Sequence, residues 1–256
     1  MTEAARPAER SPELVPAEAP PDPSVMTLVE HLSELRRRVF VCVVAVILGG
    51  VVGFWKAEDV ITFLIQPVNG RLILLAYGSG FLLYFKIALI TGIAFGLPVI
   101  FYEAWAFVAP GLTPRERRGI LPLIPMTVVF FGLGLGVAYV TLPFALAFLA
   151  GFQIPGKLDL TPTAEAYFGF VTMLFLVFGL VMEFPIVLVL LSRLGIIKPE
   201  KLRASRRYVF LGIVIFSVVI TPGGDPVSPS VMSAVMYVLY EFTIFFLTRT
   251  RRESDA

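Results

Sequence analysis

Six apolar runs, at about 39–55, 81–109, 120–139, 168–191, 208–220 and 231–247, leave this chain few ways to fold. Segments that do not continue a helix comfortably lie between them: "QPVNGR", "APGLTPRERRG", "QIPGKLDLTP", "GIIKPEKLR" and "TPGGDPVSP". With 57% hydrophobic and only 16% charged residues, the chain is far from the average of soluble domains. Its mean hydropathy of +0.85 agrees. In a bilayer every backbone polar group must be satisfied within its own segment, so uninterrupted apolar runs of this kind are read as helices. An all-α integral membrane protein of six transmembrane helices is expected, at about 20 residues per full span.

The ends differ from the middle. Residues 1–24 are rich in Pro, Glu and Ala and carry no apolar run, which predicts a disordered tail rather than a secretory signal. Residues 25–248 form the expected membrane domain, and 249–256 a short C-terminal tail. The single Cys42 lies inside the first run, so no disulfide or thiolate metal site can form within the chain. No cofactor, metal or nucleic acid is expected, and comparing the two halves reveals no internal repeat.

Charge sets the orientation. Arg6, Arg10, Arg36, Arg37, Arg38, the loop Arg115, Arg117 and Arg118, the segment from Arg193 to Arg207, and Arg249, Arg251 and Arg252 fall on one side. The other side keeps only Lys56, Arg71, Lys86 and Lys157, so the 21 basic residues divide 17 against 4. The positive-inside rule then puts both termini in the cytoplasm. A formal net charge of +2 conceals this asymmetry.

Three groups of polar residues stand out. "HLSELRRR" places Glu34 and Arg36 just before the first span, where Glu34 is spaced to pair with Arg38 at i,i+4. Arg36 to Arg38 would serve equally as topology anchors, and His31 as a solvated interfacial residue. In the loop after the second span, Glu116 lies between Arg115 and Arg117 at the start of the next helix, a favourable position for a carboxylate in itself. Two glutamates on one membrane face could also receive guanidinium groups, which carboxylates bind bidentately. Glu183 sits in the middle of the fourth run, where an ionised carboxylate costs about 2.5–3.5 kcal/mol, and such a residue is functional by default. Pro185 close by predicts a bend and a polar recess beside it.

The motifs "HLSELRRR", "FYEAWAFVAPGLTPRERR", "FGLVMEFPIVLVLLSRLGII" and "TPGGDPVS" followed by "MYVLYEFTIFF" resemble, in order, those of the TatC family, the six-helix core of the twin-arginine protein translocase. The resemblance spans about residues 26–248. It implies a receptor for signal peptides carrying an arginine pair on folded cargo, without enzymatic activity, assembling with TatA-type and TatB-type single-span proteins and with further copies of itself. It further implies that Glu34 and Glu116 dock the arginine pair, with Arg36, Phe107, Pro110 and Arg118 shaping the same face. It sets Glu183 on a concave face inside the bilayer. Pro229 departs from the glutamine that many relatives carry.

Span length adds one expectation. The fifth run has 13 residues and the sixth 17, so at about 1.5 Å per residue both are short against a hydrocarbon core of about 30 Å. Partner helices are expected along these two spans, near Thr221, Asp225 and Ser228, with Val214 and Met236 facing them. The competing reading is a proton-coupled small-molecule transporter using Glu183, and an intramembrane hydrolase is a weaker third.

Overall fold

The computed structural model describes residues 28–68, 72–109, 122–154 and 161–254. The described residues are almost wholly helical: α1 (Leu28–Trp55), α2 (Ala57–Ile65), α3 (Ser79–Val108), α4 (Leu123–Ala150), α5 (Ala164–Val181), α6 (Phe184–Arg193), α7 (Pro199–Ala204), α8 (Arg206–Ile220) and α9 (Val227–Ser254). Five spans, with α5 and α6 counted as one, have the length and apolarity to cross a membrane. The remaining candidate, α8, has 15 residues, about 22 Å at 1.5 Å per residue, and is short as expected.

Small residues set the packing of α1 on α3. A Cβ on Gly49 would lie 2.8 Å from the Gly92 carbonyl oxygen, and one on Gly92 would lie 2.6 Å from the Val46 oxygen. The two backbones therefore touch, the usual means of joining helices where lipid removes the hydrophobic drive. The helices run antiparallel. Counting 12 residues back from Gly50 reaches Arg38, and 11 forward from Gly92 reaches Glu103, so equal travel of about 17 Å brings these two side chains to the same end.

A similar contact joins α4 to α5, where a Cβ on Gly134 would meet Gly179 Cα at 2.8 Å. The span formed by α5 and α6 is the most buried of the five and α1 the least. Phe168, Val171 and Leu174 of α5, Leu142 of α4, and Met232 and Tyr240 of α9 form the centre of the core. At the other end of α1, the short amphipathic α2 begins within "WKAED", at Ala57. The Tyr167 hydroxyl on α5 donates to the Leu64 carbonyl oxygen and ties α2 to the bundle.

The bend expected beside Pro185 is present: the fourth run breaks at Met182–Glu183, and α6 resumes with Pro185 in its first turn. Proline supplies no N–H and its ring crowds the carbonyl four residues earlier, so the ladder is interrupted there. One expectation is corrected: the sixth span is not short, since its apolar part alone covers Val227–Arg249, 23 residues, in a 28-residue helix that begins before Pro229. In the first turn of a helix the missing proline N–H has no partner to lose. Asp225 caps this start, its Oδ1 accepting from the Ser228 N–H at 2.7 Å. The helix also runs to Ser254, through residues expected to be tail.

Candidate functional site

At the end where α1 begins and α3 finishes, three charged side chains meet. Arg38 Nε donates to Glu34 Oε1 at 3.0 Å, its Nη2 donates to that same oxygen, and its Nη1 donates to Glu103 Oε2 at 2.9 Å. The Arg38, Glu34 and Glu103 side chains are 22%, 18% and 15% exposed, so water screens them less than it would a surface pair. Glu34 Oε2 is buried and has no hydrogen-bond partner among the described residues. The expected Glu34–Arg38 pair is therefore present, but Arg38 is shared with a second acid.

Next to this cluster the His31 ring stacks on Phe107, with centroids 4.3 Å apart. Phe107 is half-buried and Arg36 exposed. His31 is thus held against α3 rather than simply solvated. Pro110, Glu116 and Arg118 lie outside the described residues. Glu103 was given no role from sequence. Its signal was available, because an acid near the end of a long apolar run needs a partner.

Glu183 stands at the break between α5 and α6, just before the first residue of α6, and is 5% exposed. Neither carboxylate oxygen has a hydrogen-bond partner among the described residues. It borders a cavity of about 280 Å³ with Trp105, Thr127, Ile186 and Leu190. A recess was expected there, but its walls are mainly apolar.

The turn between α8 and α9 satisfies only part of its polar groups internally, since Asp225 Oδ2 and Ser228 Oγ are buried without a hydrogen-bond partner among the described residues. The Thr221 hydroxyl donates to the Ser217 carbonyl oxygen at 2.5 Å, and Asp225 and Ser228 are buried. Met236 is buried against Ser217 of α8, and Val214 is half-buried. Met236, packed on Ser217 of α8, and Ser228, buried at the start of α9, therefore do not lie on the outer surface of the helix pair. Farther along, Arg206 Nη2 donates to Glu241 Oε2 at 2.6 Å, and the Tyr240 hydroxyl to the Leu202 carbonyl oxygen at 2.7 Å, closing the opposite end of the pair.

Fold and charge together define a multi-pass helical membrane protein with a carboxylate cluster at one end and a buried acid within the bundle. Residues 30–234 match the family described as Sec-independent protein translocase protein (TatC). The TatC of Carboxydothermus hydrogenoformans is 36% identical over 225 residues, covering 86% of this chain and 92% of its own. That of Escherichia coli (strain K12) is 34% identical, covering 86% and 87%. A crystal structure of the twin-arginine translocase receptor TatC in DDM superposes with a TM-score of 0.72 at 34% identity, covering 85% of this chain and 99% of that one. The chain belongs to the TatC family. It is a Sec-independent protein translocase subunit, a transport component rather than an enzyme, and the small-molecule transporter reading is set aside.

Proposed function

We propose that this chain receives the twin-arginine signal peptides of folded precursor proteins on the cytoplasmic face, reading the arginine pair with Glu34 and Glu116. It then gathers TatA-type and TatB-type single-span partners, with several copies of the chain in one receptor complex. The observation that carries this reading is Glu34, half-buried near the start of α1, with one carboxylate oxygen that has no hydrogen-bond partner among the described residues. A folded cargo cannot be threaded, so its receptor has to recognise a short exposed tag. Two guanidinium groups suit that purpose, being planar, permanently charged and matched to carboxylates.

An exposed charge pair contributes only about 0–1 kcal/mol, so the apolar part of the signal supplies most of the affinity and the arginines the specificity. Arg36, Phe107, Pro110 and Arg118 shape the surrounding face. Both termini lie in the cytoplasm, in keeping with the distribution of Lys and Arg. Glu183 acts later, in assembly or transport, and partner helices dock along α8 and α9.

The test is site-specific crosslinking of a twin-arginine precursor to membranes containing the intact protein. Glu34→Gln and Glu116→Gln should each weaken crosslinking while insertion and folding persist. Normal crosslinking in the double variant would overturn the reading.

A further inference from the structure

The reading of Glu34 just given leaves one residue of the cluster unexplained, and the following inference rests on that reading. We propose that Glu103 is a positioning residue: by holding Arg38 from the side of α3, it keeps one oxygen of Glu34 unpartnered for an arginine of the incoming signal peptide.

The reasoning begins with spacing. Glu34 and Arg38 are four residues apart on one helix, where a glutamate and an arginine pair readily. Without a competitor such a pair tends to close as a fork, two nitrogens on two oxygens. A closed fork would use both oxygens of Glu34 and leave an incoming guanidinium no acceptor there. The observed geometry differs. Nε and Nη2 of Arg38 both converge on Oε1, while Nη1 is drawn to Glu103 Oε2 at 2.9 Å. Glu34 Oε2 remains buried and without a partner among the described residues.

Charge leads to the same conclusion. Two carboxylates share one guanidinium, so the three side chains together carry one uncompensated negative charge. Arg36 and Arg37, the adjoining cations on α1, are exposed rather than turned into the cluster. An entering guanidinium brings a permanent positive charge and five N–H donors, which meets both the unpartnered acceptor and the excess charge. If Glu103 lost its charge, Arg38 would be free to close on Glu34, removing the acceptor and the net charge in one movement.

The experiment measures binding of a fluorescent twin-arginine signal peptide to the purified full-length protein in nanodiscs. Glu103→Gln is expected to weaken binding about tenfold, the scale of losing one charge-assisted contact. Arg38→Gln placed in that background should restore binding to within about threefold of wild type, since the competing guanidinium is then gone. Glu103→Asp retains the charge and should retain most of the binding. Equal loss in Glu103→Asp and Glu103→Gln, or failure of Arg38→Gln to rescue, would show that Glu103 matters through packing and would overturn the proposal. If Glu103→Gln binds like wild type while Glu34→Gln does not, the positioning role falls and the reading site stands. If Glu34→Gln also binds like wild type, the reading site falls and takes the proposal with it.

Discussion

Arg38 on α1 and Glu103 on α3 are 65 residues apart in sequence and 2.9 Å apart in space. What joins them is the glycine contact deeper in the same helix pair, because the register of two antiparallel helices is set wherever their backbones touch. Gly92→Leu should therefore act at a distance. A side chain built there would strike the backbones of Val46 and Gly50, leaving nothing flexible to move aside. Overpacking costs about 1–3 kcal/mol where side chains can yield, and this site lies at the upper end or beyond. Gly132→Leu is the control, since nothing lies within 4 Å of its added Cβ. Thermal loss of the folded species, followed by size exclusion, should occur at lower temperature for Gly92→Leu than for Gly132→Leu. Equal midpoints would mean that the close contact does not set the register.

The charge swap at Glu116 tests recognition more sharply than truncation does. Glu116→Lys should reject a twin-arginine precursor more strongly than Glu116→Ala, because repulsion is added to the lost attraction. The readout is precursor crosslinking at low and moderate salt. Salt should narrow the difference between the two variants, and a difference that did not respond to salt would point to a steric cause.

Much of this arrangement could be read from the sequence. The apolar runs located the helices because the bilayer demands long uninterrupted segments, and the four-residue spacing of Glu34 and Arg38 announced their ion pair. The parts that could not be read share a physical cause. Lipid is as apolar as the protein interior, so a membrane helix has no polar face to tell its inside from its outside. Met236 was accordingly assigned outward although it is buried. Pro229 suggested a later start for the last helix, since a proline breaks a helix interior but is tolerated in a first turn. Amphipathic α2 went unread behind its charged beginning, and Glu103 lay unnoticed within a run scored as apolar.

Glu183 should separate stability from function. A carboxyl group in a mainly apolar recess, with both oxygens unpartnered among the described residues, is a burden on folding. Replacing it with Leu should raise stability by about 1–3 kcal/mol, the scale of removing one unsatisfied buried polar group. The same substitution should retain precursor binding and impair export. A melting curve in detergent and an export assay on the same variant decide the matter. Normal export by Glu183→Leu would remove the proposed role in assembly or transport.

Helix α8 gives the last expectation. Its 15 residues reach about 22 Å, about 8 Å less than the hydrocarbon core. A span this short is accommodated by local thinning of the bilayer or by neighbours that cover the mismatch. Partner helices seated on α8 and α9 would gather where the membrane is thinnest, which is where folded cargo meets the lowest barrier. The residues able to meet them are those turned outward, such as Val219 on α8 and Val238 on α9, 80% and 65% exposed. Cysteines at these two positions should crosslink to a single-span partner in membranes, whereas one at buried Met236 should not. Crosslinking at Met236 alone, or at none of the three while α1 positions react, would put the docking face elsewhere. Inserting four apolar residues into α8 adds about 6 Å and removes most of the deficit. Export should then fall while precursor binding at the far cluster holds, and unchanged export would mean that the short helix has no part in transport.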